Sequence, residues 1–195
     1  MKIVVLVKQV PHFSAIEFDE EEKTLKREGV PLELNEFDRY AVAQARALRE
    51  QAAGEIVAMT MGPPQAEEAL RECLELGVDR CIHLSDRAFA VADTIGTSRT
   101  LALAVQKEGA DVVLCGRKAL DAETWQVPPE VAAFLGWPHL SNAMGVGVKD
   151  GRFRLGRETD FGSEEYEGEL PLVLSVGRPP PASPSASPSA SPSNG

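Results

Sequence analysis

Apolar residues along the chain follow two rhythms. In KIVVLVKQV (2–10) they run almost unbroken and are mostly β-branched, as in a parallel strand buried on both faces. EIVAMTMG (55–62), DRCIHLSD (79–86) and ADVVLCGRK (110–118) read the same way. Between these runs the spacing turns helical. DRYAVAQARALREQ (38–51) places Ala41, Ala45 and Leu48 on one face, and PPQAEEALRECLELG (63–77), TIGTSRTLALAVQKEG (94–109) and EVAAFLGWP (130–138) are further helices. Boundary residues agree. Asn35 or Asp38 suits a helix start, and Gly54 a stop. Proline opens the second helix, while Gly77 and Gly109 close the second and third. Residues 13–34 form a polar excursion whose partial alternation predicts a weak hairpin. Beyond Pro138 apolar and polar positions alternate around KDG and DFGS. That predicts an antiparallel β extension with strands near 141–149, 152–160, 164–169 and 171–176.

The order β, excursion, α, β, α, β, α, β, α predicts an α/β fold. It is a Rossmann-like parallel sheet with helices on both faces, followed by the antiparallel β extension. In such sheets ligands bind beyond the carboxyl ends of strands, at a topological switch point. Those ends are Lys8–Val10, Thr60–Pro63 and Gly116–Asp121. From Arg178 the chain turns to proline and serine, with Ala-Ser-Pro-Ser three times over 182–193. It has no side chain large enough to anchor it and reads as a disordered tail. The expected division is one folded domain followed by a tail from Arg178.

Composition narrows the function. The 195 residues, 43% hydrophobic and 26% charged, suffice for one ordinary domain. A net charge of -10 argues against nucleic acid as a partner. No apolar run is long enough to cross a bilayer, so no direct membrane insertion is expected. Lys8 and Gln9 interrupt the N-terminal apolar run and no small-residue cleavage site follows, so it reads as a strand rather than a signal peptide. Cys73, Cys81 and Cys115 are odd in number and lack metal-type spacing, which fits free thiols in a cytoplasmic protein.

Chemistry-bearing motifs are few. There is no Gly-x-Ser-x-Gly, no Gly-x-Gly-x-x-Gly and no Gly-Lys-Ser/Thr. No ligand set has the spacing of a metal site. His12, His83 and His139 are far apart. His83 falls inside a strand, and His12 follows the first strand near the ligand end. No catalytic residue and no enzymatic activity of its own are expected. The polar groups that topology gathers are Lys8, Asn35, Asp38, Thr60, Asp121, Thr124 and Gln126. They suit an adenine nucleotide, with a helix start near residue 128 for a phosphate. Equally, Asp121 and Thr124 can simply cap a loop and a helix, and the residues alone leave both readings open.

Several stretches, taken in order, narrow this further. They are VKQVP, LNEFDRYAVAQA, AMTMGPPQAEEALRECLELGVDR, DVVLCGRKALDAETWQVPPEVAAFLGWP and GRETDFGSEEYEGELPLVLSV. Together they resemble the β subunit of electron transfer flavoprotein, the family that also includes the FixA proteins, over about residues 1–177. The resemblance implies an adenine nucleotide α-hydrolase-like core that binds AMP, or FAD in the electron-bifurcating members. It implies an α subunit as heterodimer partner, carrying the electron-transferring FAD, with electrons passing between dehydrogenases and an acceptor. By position, cofactor contacts would come from Leu6, Lys8, Asn35, Phe37, Asp38 and Met61. The loop Asp121, Glu123, Thr124, Gln126, Val127, Pro128 and Pro129 would hold the phosphate side. Phe13 matches an aromatic position near the α-subunit flavin.

This sequence also departs from the family pattern. Trp125 stands where the loop usually has a small residue, placed to obstruct a phosphate or to stack on a ring. Pro128 stands where it usually has glycine and removes one N–H from the anion site. Asp-Gly-Gly becomes Asp160-Phe161-Gly162. After LPLVLSV the family continues with a docking segment for dehydrogenases and a C-terminal arm, where this chain has its Ser/Pro stretch. That docking mode is therefore expected to be missing. Two other functions stay open: an adenine-nucleotide-binding regulatory module without redox role, and a nucleotide-free scaffold for a flavoprotein partner.

Overall fold

A computed structural model describes residues 1–12, 17–19, 24–26 and 30–178. Phe13 and the tail beyond Arg178 lie outside the described residues. Strand β1 (Lys2–Leu6) is buried on both faces. Ile3 and Val5 turn to one side of the sheet, Val4 and Leu6 to the other. On the first side they meet α1 (Glu36–Gln51) and α2 (Glu67–Glu75) through Ala41, Val42, Ala45, Leu48, Ala69, Leu70 and Cys73. On the second they meet α3 (Thr94–Glu108) and α4 (Val127–Leu135) through Leu101, Ala102, Val105, Val131, Ala132 and Leu135. Continuous apolar strands are therefore what a three-layer α/β sandwich requires.

The other parallel strands are β6 (Glu55–Met61), β7 (Arg80–Leu84) and β8 (Val112–Gly116). β1 pairs in parallel with β6 on one side and β8 on the other, and β6 pairs with β7. The chain thus moves outward from β1 to β6 and β7, then returns across the sheet to β8. The switch point falls between β1 and β8, at Leu6 and Gly116.

The described parts of the 9–34 excursion form two antiparallel pairs. β2 (Gln9–Pro11) pairs antiparallel with β5 (Leu32–Leu34), and β3 (Glu17–Asp19) pairs antiparallel with β4 (Thr24–Lys26). The inner pair carries the chain back to the end of β1, where the Asn35 amide donates to the Lys8 carbonyl at 2.9 Å.

Three boundaries differ from expectation. α1 starts at Glu36 rather than 38, and ends at Gln51. Gly54 does not cap it; a Cβ there would stand 2.1 Å from the Met1 carbonyl oxygen, so glycine serves the close approach to the β1 end. α4 spans Val127–Leu135 rather than 130–138, because Pro128 and Pro129 fit its first turn and Gly136, at φ 67, ends it.

The extension contains β9 (His139–Lys149), β10 (Arg152–Thr159) and β11 (Gly162–Glu169), antiparallel in succession. The fourth expected strand, β12 (Leu172–Val176), is not part of it. It lies between β8 and β9, parallel to both, inside one eight-stranded sheet. LVLSV is apolar without alternation and buried at every position, which is a central-strand pattern. Leu174 is fully buried at that position. Leu174→Ala is expected to lower the unfolding free energy by about 2–5 kcal/mol in urea denaturation. A loss under about 1 kcal/mol would instead fit an edge strand.

Candidate functional site

β1 and β8 run side by side only as far as Leu6 and Cys115. Beyond that they diverge, and the N–H groups of Lys8 and Gly116 lose each other's strand as a partner. Asp38, on the first turn of α1, takes both. Its Oδ2 accepts from Lys8 N at 2.8 Å and its Oδ1 from Gly116 N at 3.1 Å. The carboxyl is 5% exposed. Burial pushes it up to about 7, against the pull of the Asn35 amide and the two backbone donors. Gly116 has no room for a side chain, since a Cβ would stand 2.3 Å from Asp38 Oδ1 and 2.7 Å from Phe37 Cβ.

Asn35 performs a parallel task. It sits at the N-cap position of α1, yet its side chain does not cap the helix. Nδ2 donates to the Lys118 carbonyl at 2.9 Å, and Oδ1 accepts from Leu120 N at 3.2 Å. The expectation that Asn35 or Asp38 caps α1 is thus corrected. Both side chains bind the strand ends and the loop after β8 because those backbone groups are buried and would otherwise be unpaired.

The divergence opens a cleft of about 1010 Å³ at the carboxyl end of the sheet. Its walls are largely apolar: Leu6, Met61, Leu101, Val127 and Pro128, with Thr94, Thr97 and Thr124 supplying hydroxyls. Lys8 and Asp38 also line it. Of the residues expected from sequence, Leu6, Lys8, Asp38, Met61, Thr124, Val127 and Pro128 come together here. The others stand apart from the lining. Asn35 is buried beneath the loop, and Phe37 packs beside Gly116. Asp121 reaches Lys8 Nζ at 2.6 Å, a largely surface pair worth at most about 1 kcal/mol. Glu123 pairs with Lys118 at 2.5 Å. Thr94 Oγ1 lies 3.1 Å from both Gln126 Oε1 and Glu130 Oε1, tying α4 to α3. Pro129 is exposed.

Sequence reasoning missed one wall. Residues from Ser85 to Asp93 and the start of α3 close the cleft opposite the 119–128 loop. Leu84 is also a strand end, so the rule that pointed to β1, β6 and β8 applied there too. Asp93 is the α3 N-cap, accepting from Gly96 N at 2.8 Å.

Two departures from the family pattern gain a physical account. Trp125 does not face the cleft. Its ring covers Arg117, with Cζ 5.1 Å from the centroid, from a backbone held at φ 63. Obstruction of a phosphate by Trp125 is therefore not what the geometry gives. Pro128 and Pro129 occupy the second and third helical positions of α4, so of the first three residues Val127 alone keeps an N–H. The α4 start is a poorer anion site than the sequence suggested.

Cys73 and Cys115 are buried, and burial pushes both thiols up, Cys73 to about 12. His83, on the edge strand β7, has Nε2 3.1 Å from the Gly62 carbonyl. No group of three metal-binding side chains occurs among the described residues. None of their helices is long and apolar enough to cross a membrane.

The raised Asp38 carboxyl has a defined pH consequence. The folded state holds its proton above the ordinary value of 3.8 and releases it near 7. Its contribution to stability is therefore fully present below the unfolded value and is lost as pH rises through 7. The urea midpoint should fall between pH 5 and 8 in the native chain, and that part of the slope should vanish in Asp38→Asn. Parallel pH profiles for the two proteins would disprove the assignment.

Comparison with known proteins identifies the family. The electron transfer flavoprotein domain family matches residues 23–192. The chain is similar to the electron transfer flavoprotein subunit β of Thermoanaerobacterium thermosaccharolyticum, 41% identical over 176 residues, covering 90% of this chain and 68% of that one. It is also similar to the caffeyl-CoA reductase-Etf complex subunit CarD of Acetobacterium woodii, 41% identical over 177 residues with the same coverage. Protein FixA of Azorhizobium caulinodans is 38% identical over 184 residues, covering 90% and 66%. The chain spans about two thirds of the length of these relatives. With the order of its strands and helices, these similarities place the chain in the electron transfer flavoprotein β-subunit and FixA family.

Proposed function

We propose that this chain is a β-type electron transfer flavoprotein subunit of the cytoplasm. It binds AMP or FAD in the cleft between β1 and β8 and pairs with an FAD-carrying α-type subunit, so that electrons pass between dehydrogenases and an acceptor. The observation that carries this reading is the cleft itself, opened at the switch point and braced by Asp38. The chain supplies no reacting group of its own. Flavin, when bound, supplies the redox chemistry.

The residues suit an adenine nucleotide unevenly. The cleft volume stands at the upper end of the roughly 300–1,000 Å³ usual for small-molecule sites, enough for a mononucleotide or a larger one. Leu6, Met61, Leu101 and Val127 offer apolar faces for a base, and the strand-end backbone offers polar edges. Thr94, Thr97 and Thr124 are within the walls to meet ribose or phosphate oxygens. The phosphate side is thinner, because Pro128 and Pro129 lack N–H groups. The favoured balance is a nucleotide held more by base and sugar than by phosphate.

Co-expression with the α-type protein of the same source tests the reading. The expected product is a heterodimer with a flavin absorption band near ~450 nm and releasable AMP or FAD. A monomer carrying adenine nucleotide without flavin would indicate the regulatory module. A preparation free of nucleotide would indicate the scaffold. A separate measurement addresses the loop. Pro128→Gly should raise affinity for AMP by about threefold to tenfold, roughly one hydrogen bond, with adenosine affinity unchanged in calorimetry. Equal gains for both ligands would show that the restored N–H does not meet the phosphate.

A further inference from the structure

Arg117, the first residue after β8, carries a guanidinium for which the described residues supply no anion. Acids outnumber bases 30 to 20. Yet among the described residues no oxygen accepts from the Arg117 side chain, and its Nε is buried without an acceptor. Two aromatic rings hold it instead. Cζ lies 4.6 Å from the Phe37 centroid and 5.1 Å from that of Trp125. Lys118 Nζ lies beside the same rings, but Glu123 holds it at 2.5 Å. Asn142 adds a second unmet group, a buried Oδ1 with no donor. The Asn142 and Arg117 side chains both come within 4 Å of the point where a Gly177 Cβ would stand. None of Arg117, Phe37, Trp125 and Asn142 lines the nucleotide cleft.

We propose that Arg117, flanked by Phe37 and Trp125, is a docking site outside the cleft for a carboxylate side chain of the paired α-type subunit. This rests on the pairing described under the proposed function. The rings fix the plane of the guanidinium and have already removed part of its water, so little remains to be lost when an anion arrives. A carboxylate matches the fork of N–H groups. Trp125 is 43% exposed, so a free anion here would stay in water and gain little. A protein surface brings its own cover, and arginine with tryptophan is the pairing enriched where such surfaces gain most of their affinity. Asn142 Oδ1 is open to an N–H from the same segment.

The test is the affinity of the heterodimer at low and high salt, measured with AMP affinity on the same variants. Arg117→Met is expected to weaken pairing by about tenfold and to flatten its salt dependence, with AMP affinity unchanged. Arg117→Lys should fall between the two, and Trp125→Ala should weaken pairing while leaving the urea midpoint near that of the native chain. Equal pairing by native and R117M chains would overturn the docking site and leave the β-type reading intact. So would a parallel loss of AMP affinity, which would make Arg117 a support of the cleft. Failure of the native chain to pair at all would overturn both.

Discussion

The buried carboxylate of Asp38 is the constraint on which the rest of this structure turns. A parallel sheet that reverses direction must let two neighbouring strands part, and the parting exposes backbone groups inside the protein. Each buried N–H left without a partner would cost about 1–3 kcal/mol. Asp38 meets two of them, Lys8 N and Gly116 N, with one side chain. The cost appears in its own ionisation. Desolvation outweighs the three donors and pushes the carboxyl up to about 7. The brace thus holds the cleft open, but it is strained electrostatically at neutral pH.

Other residues follow from that brace. Gly116 lacks a side chain because Asp38 and Phe37 occupy the space. Asn35 must reach the loop after β8, and it does so because β2 and β5 return the chain to the end of β1. The excursion that looks like a decoration in sequence is therefore what delivers the Asn-Glu-Phe-Asp stretch to the switch point.

How much of this was legible follows the range of each interaction. Strands buried on both faces announce themselves, so β1, β6 and β8 are readable, and the partly buried edge strand β7 shares their apolar run; so are the helices whose glycines and prolines mark their ends. Leu172–Val176 was readable as a strand but misplaced, since its neighbours in sequence alternate and it does not. At the site, topology points to Lys8, Asp38 and Thr124, while Leu6 and Met61 follow from the family resemblance. The wall from Ser85 to Thr97 is missed although it follows the carboxyl end of β7, where the same rule applies. Asn35 and Asp38 are legible as polar groups gathered near the strand ends, but their role there is not. Their types suit helix caps, and nothing local tells that their partners lie about 80 residues away at Gly116 and Leu120.

Trp125 is the residue that the isolated chain explains least. A non-glycine residue in the left-handed region costs about 1–2 kcal/mol. A cation over an aromatic face at a half-exposed site returns about 0.5–1 kcal/mol. With Arg117 and Lys118 both near the ring, gain and cost come out nearly even, so stability alone does not favour tryptophan over the small residue usual at this position. The ring also stays out of the cleft, so nucleotide binding does not account for it either. What remains is the surface it creates: a half-exposed indole lying over a guanidinium that has no anion among the described residues. On this reading the loop after β8 serves two directions. Thr124, Val127 and Pro128 face the cleft, while Trp125 and Arg117 face outward.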